Sequence, residues 1–157
     1  MSRFHEELYR KKGQKHDNLI VGCVSRPGIS KILSDTGILE KHPGFQWDYE
    51  TEVVCSNRGY KTDFIIGYAD IVLTGRVPGA NPHSSEYWYE RVAVVIEAKP
   101  ILDDVGSTIR QLKTYEGCLR GNCAKFYKAI VTYSNVRDDI KEYLAHEGIR
   151  LVVFEGE

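Results

Sequence analysis

The sequence is poor in the residues that mark special classes of protein. It holds one Met, two Trp, five Pro and four Cys in 157 residues. Its longest uninterrupted apolar run is Val92–Ile96, whereas a membrane-spanning helix needs roughly 20 apolar residues. No span is expected, and the N-terminus shows no apolar signal core. Cys23, Cys55, Cys118 and Cys123 are too few and too scattered for a secreted disulfide scaffold. Four thiols in a soluble, cytoplasmic protein are therefore expected. Net charge is missing as well: 21 Lys plus Arg against 22 Asp plus Glu leave −1, so no global field advertises a nucleic acid or a membrane. Neither G-x-x-x-x-G-K-[ST] nor G-x-G-x-x-G occurs, which excludes a phosphate-binding loop of either kind. Repeats, low-complexity stretches and linkers are absent too, and this length makes a single domain over residues 1–157.

What is present fits a folded chain, with 42% hydrophobic and 27% charged residues. Charge is unevenly distributed: residues 1–31 carry a local +4, leaving −5 for the rest. Arg3, Arg10, Lys11 and Lys12 fall on a short amphipathic helix predicted over 2–12. They suit either phosphate contact or a solvated face.

Hydrophobic spacing predicts a strand at Leu19–Val24 and a helix over Ile29–Leu39. From Phe45 the period becomes two, with Phe45, Trp47, Tyr49, Thr51 and Val53 alternating with polar residues, as in a half-buried strand. A turn is expected at Asn57-Arg58-Gly59, then strands at Thr62–Thr74 and Val92–Lys99, the latter ended by Pro100. Asp103 or Asp104 caps a helix running to about Gly117. A strand at Lys128–Tyr133, a helix at Val136–His146 and a strand at Ile149–Phe154 complete the chain. Three strands followed by helix, strand, helix, strand predict an α/β (α+β) fold, a mixed β-sheet flanked by helices.

Three charges sit where apolar strands should not hold them. Asp70 interrupts Ile65–Leu73, and Glu97 and Lys99 end the run Val92–Ile96. Glu97 and Lys99 project from one strand face, and antiparallel pairing with the previous strand brings Asp70 to them. Burying such charges costs several kcal/mol unless they are compensated. Two carboxylates plus the Ala98 carbonyl and water form the hard oxygen shell that Mg²⁺ or Mn²⁺ takes. Lys99 beside it suits the orientation of an attacking water, so phosphodiester hydrolysis is the reaction this set serves. The alternative is a structural ion pair at strand ends. The triplet acid-x-Lys alone decides nothing, because Asp139-Ile140-Lys141 repeats it. The following helix adds Gln111 and Tyr115 four residues apart, with Thr108 one turn earlier, on a face separate from the Val105–Leu112 stripe.

This series, Gly67-Tyr68-Ala69-Asp70-Ile71-Val72, then Val94-Val95-Ile96-Glu97-Ala98-Lys99, then Gln111-Leu112-Lys113-Thr114-Tyr115, resembles the PD-(D/E)XK nuclease superfamily over roughly residues 45–133. In length and motif order the chain is also similar to small nucleases encoded by filamentous viruses of thermoacidophilic archaea, which would place it in a host cytoplasm. The resemblance implies a restriction-endonuclease-like αβββαβ core and a magnesium-dependent endonuclease that binds DNA. Asp70 and Glu97 would be the metal-binding carboxylates, Lys99 the residue acting on water, and Gln111 and Tyr115 a supporting motif. Ala69 replaces the proline that usually precedes the first Asp. A further Glu often joins the metal site; Glu52 or Glu50 would fill that role ahead of Glu40, Glu6 and Glu7, although the strand at 45–55 equally reads as solvated there. Glu86 and Glu90, in the long loop Arg76–Arg91 with its aromatic residues Tyr87, Trp88 and Tyr89, are further candidates. Double-stranded DNA is the expected partner. A junction resolvase, which would act as a homodimer, an RNA endonuclease and a catalytically silent nucleic-acid-binding protein are the alternatives. Cys118 and Cys123 read as core thiols and not as cluster ligands.

Overall fold

The computed structural model describes residues 3–57, 64–78 and 91–156. Its elements run α1 (Arg3–Val24), α2 (Arg26–Asp35), α3 (Ile38–Lys41), β1 (Gln46–Asn57), β2 (Phe64–Arg76), β3 (Val92–Ala98), α4 (Val105–Leu119), β4 (Lys125–Thr132), α5 (Asp138–His146) and β5 (Ile149–Val153). The five strands form one mixed sheet in the order β1-β2-β3-β4-β5. β1, β2 and β3 pair antiparallel, and β3, β4 and β5 pair parallel. The predicted α+β architecture, a mixed sheet flanked by helices, is what forms.

β3 is the central strand and is buried along its whole length, as a strand covered on both faces must be. On one face Leu19, Cys23, Ile32, Leu33 and Ile38 of α1–α3 cover Ile71, Leu73, Val94, Ile96 and Val131. On the other, Ile109, Leu112 and Tyr115 of α4 and Leu144 of α5 cover Val95, Ile130 and Ile149.

The N-terminal third departs from its local pattern. Leu19–Val24 is the end of a 22-residue helix and not a strand. A six-residue apolar run does not distinguish the two by periodicity; here Leu19 and Cys23, one turn apart, are buried while Val21 is 68% exposed. α2 begins at once, with Ser25 Oγ accepting the Gly28 N–H at 3.1 Å and Pro27 in the first turn. The junction is so tight that a Cβ on Gly28 would overlap the Gly22 carbonyl oxygen. The helix predicted over Ile29–Leu39 is split at Gly37, whose φ is +74°. α4 passes through Gly117, its predicted stop, and ends before Gly121 with φ +49°. Arg58 and Gly59 of the expected turn lie outside the described residues.

The four cysteines are not four thiols. Cys55 and Cys118, 63 residues apart, form a disulfide that ties β1 to α4, while Cys23 and Cys123 are free. Spacing along the chain carries no information about this pairing; only the packing of α4 across the sheet brings the two together.

β1 also breaks its predicted alternation. Trp47 packs with the α1–α3 side, as do Ile71 and Leu73 of β2, whereas Val53, Cys55 and Ala69 pack on the α4 side. Residues of equal parity on one strand should share a face. The register nevertheless continues, Thr51 opposite Ile71 and Val53 opposite Ala69. The two-stranded ribbon therefore changes face between these pairs, at Glu52 and Asp70, and Glu52 has φ +51°, a left-handed conformation rare for Glu.

Candidate active site

The β2–β3 register pairs Ile71 with Ile96, so the next position sets Asp70 opposite Glu97. Asp70 is two-fold anchored. Its Oδ2 accepts the Ala98 N–H at 2.9 Å and lies 3.3 Å from His16 Nε2 on α1. The Ala98 N–H is available because in the β3–β4 ladder it is Lys99 N that donates, to Val131 O at 2.9 Å. A carboxylate normally unwelcome in a strand thus ends the antiparallel pairing by replacing a ladder carbonyl.

Glu97 is 4% exposed. Lys99 Nζ stands 3.6 Å from its Oε1, and its Oε2 is buried without a hydrogen-bond partner. Burial pushes the Glu97 carboxyl up to about 8, the Asp70 carboxylate adds to the rise, and Lys99 opposes it. Asp70 also acts beyond this pair, reinforcing the effect of burial in holding the Cys23 thiol at about 12.

Tyr115 of α4 lies close enough to this cluster to feel the charges of Glu97 and Asp70, and Gln111 stands one turn before it on α4. Tyr115 is buried and its hydroxyl donates to Tyr68 O at 2.9 Å, two residues before Asp70. Gly67 lies against this ring, where a Cβ would be in ordinary contact with the hydroxyl at 3.4 Å. Burial and then the charges of Glu97 and Asp70 raise the Tyr115 phenol, while a hydrogen bond with Gln111 lowers it. The separate polar face expected for this helix is instead part of its packing face: Thr108 is buried beside Ile109 and Leu112, its Oγ1 donating to Asp104 O at 2.9 Å. Asp104, as expected, caps the helix by accepting the Ser107 N–H at 2.9 Å.

The donor set tests well against a hard divalent cation. Two carboxylates meet, one with a buried unpartnered oxygen, and such oxygens call for a proton or a metal ion. Among the described residues no three or more His, Cys, Asp or Glu are arranged to hold a metal. A hard divalent cation bound here would take Asp70, Glu97 and a backbone oxygen from the protein and leave most positions to water or substrate, the shell Mg²⁺ prefers. Glu40, Glu50 and Glu52 are exposed; Glu52 sits on β1 at the register position of Asp70 but joins no such group. The side chains of Arg3, Glu6 and Glu7, and all of Glu86 and Glu90, lie outside the described residues. Arg10 and Lys12 are exposed on α1.

His16 is the site residue that local reading misses. Its signal was available: His16, Leu19 and Cys23 form an i, i+3, i+7 stripe on a helix, and the strand assignment of 19–24 hid it.

No family model and no curated protein matches the chain. Among solved structures it is similar to a repair endonuclease from Pyrococcus abyssi, with 17% identity, a TM-score of 0.40, and coverage of 85% of this chain and 48% of that one. It is likewise similar to EndoMS in apo form, with 21% identity, a TM-score of 0.39 and 85% and 47% coverage. For the EndoMS-dsDNA2 complex the values are 20%, 0.39, 85% and 45%. The chain thus spans less than half the length of these structures.

Proposed function

We propose that this chain is a metal-dependent nuclease of the PD-(D/E)XK type that hydrolyses DNA phosphodiester bonds. The observation that carries the proposal is Glu97: a buried carboxylate with one oxygen unpartnered, set opposite Asp70 on the adjacent antiparallel strand and beside Lys99. Asp70, Glu97 and the Ala98 carbonyl would hold Mg²⁺ or Mn²⁺. The bound ion would supply charge neutralisation at the phosphate and acidify water. Asp70 is held in position by the Ala98 N–H and His16. Lys99, two residues from Glu97 on the same strand face, orients the attacking water. Tyr115, hydrogen-bonded to Tyr68 O, fixes β2 against α4, and Gln111 supports it from one turn before on the same helix.

The Cys55–Cys118 bond accords with the resemblance to viral nucleases of thermoacidophilic archaea, because intracellular proteins of hyperthermophilic archaea are an exception to the rarity of cytosolic disulfides.

The test is incubation with labelled linear duplex, single-stranded and four-way-junction DNA, with Mg²⁺ or with EDTA. Cleavage that requires the metal and disappears in Lys99→Ala and Asp70→Asn is expected. Binding without cleavage in Mg²⁺ and Mn²⁺ would reduce the cluster to a structural ion pair.

A further inference from the structure

The β1–β2 ribbon outruns the rest of the sheet. β3 pairs only with Ile71–Gly75 of β2, whereas β1 keeps its pairing with β2 as far as Phe64. α4 covers the base of this overhang, where the Tyr115 hydroxyl donates to Tyr68 O and Cys118 is bonded to Cys55. Beyond that point, among the described residues, the stretch Phe64–Gly67 has β1 as its only strand neighbour.

Large apolar side chains collect in water there. Val54, Phe64, Ile65, Ile66 and Tyr68 are each between 43% and 56% exposed. A single exposed apolar residue needs no explanation, but five on one end of a ribbon form a patch of the kind that marks an interaction surface.

The described residues of this end carry no charge. Val53–Asn57 and Phe64–Ala69 contain no Asp, Glu, Lys, Arg or Pro, the residues that normally blunt an open strand edge. The one such device among them is a bulge, since Ile66 falls between the register pairs Cys55–Gly67 and Ser56–Ile65. This composition disfavours a nucleic acid, whose phosphates are held by Lys and Arg. It is, however, complementary to itself. Across a two-fold axis each side chain meets its own copy or a neighbour of the same apolar kind. The area suffices as well. Each of the five leaves roughly 100 Å² in water, about half of what large side chains bury, so two copies present about 1,000 Å² to each other, where specific interfaces begin.

We propose that the ends of two such ribbons pack against each other and make this chain a two-fold homodimer. The contact uses neither Glu97 nor Lys99 and stands independently of the nuclease reading.

The experiment is sedimentation velocity of the full chain in EDTA, from about 1 to about 100 µM, the range in which a small apolar interface associates. Wild type should move from 17.9 kDa to twice that mass as concentration rises. Ile65→Lys sets two like charges across the axis and should raise the dimer dissociation constant at least about a hundredfold. Phe64→Ser should raise it about tenfold. Both positions are exposed, so the far-UV circular dichroism should be unchanged, and Val21→Lys, an exposed apolar position on α1, should leave the dimer intact. A wild type that stays at 17.9 kDa throughout, or a dimer that neither ribbon variant weakens, would overturn the proposal. So would a monomer that binds labelled duplex DNA and loses that binding in Phe64→Ser, which would assign the ribbon end to DNA.

Discussion

Breaking the bond between Cys55 and Cys118 should cost this protein much of its stability. The two residues are 63 apart in sequence, so the cross-link closes a long loop in the unfolded chain. Chain-entropy bookkeeping for a loop of that length gives about 4 kcal/mol at room temperature. For a domain of this size roughly 2–4 °C of Tm accompany each kcal/mol, so a loss of about 8–16 °C is expected. The native state has reason to suffer too, because the bond clamps β1 to α4 three residues beyond Tyr115, and Cys55 is fully buried. Thermal unfolding followed by circular dichroism should be compared for the oxidised protein, the protein under a phosphine reductant, and Cys55→Ala/Cys118→Ala. Alkylation of the unfolded, unreduced chain followed by mass measurement should count two thiols, those of Cys23 and Cys123. Four alkylated thiols, or a Tm that reduction moves by less than 2 °C, would refute the reasoning.

Three further outcomes follow from the site and the core. Glu97 has a carboxyl raised to about 8, so in metal-free protein its contribution to stability is full below the ordinary carboxylate range and is lost as pH rises through about 8. Denaturant titrations in EDTA should show that decline between about pH 4.5 and 8, and Glu97→Gln or added Mg²⁺ should flatten it. Tyr115→Phe deletes the hydrogen bond to Tyr68 O; it should cost about 1 kcal/mol in urea unfolding and, under the nuclease function proposed above, slow cleavage more than it weakens DNA binding. Gly28→Ala places a Cβ on the Gly22 carbonyl and should destabilise by about 1–3 kcal/mol, measured by the same unfolding.

The strands that carry the candidate site were legible because their signals are local. Ile65–Leu73 and Val92–Ile96 are β-branched runs, and the charges Asp70, Glu97 and Lys99 stand out against them. Antiparallel pairing then brings Asp70 to Glu97 by geometry alone, as the register shows. The Asp104 cap of α4 was readable for the same reason. His16 was not, because its role depends on Leu19–Val24 being helical. That choice is made by the sheet that Leu19 and Cys23 pack against and not by the run itself.

By itself, then, the sequence determined the order of most elements, the mixed character of the sheet and the identity of three charges that an apolar strand would not carry without compensation. Tertiary structure alone decided the helical end of α1, the pairing of Cys55 with Cys118, and the change of face at Glu52 and Asp70. The division has a physical cause. Periodicity, capping and turn chemistry act over a few residues and are written in spacing, whereas each of the others is a contact between segments far apart in the chain, fixed only when burial of the two core faces brings them together.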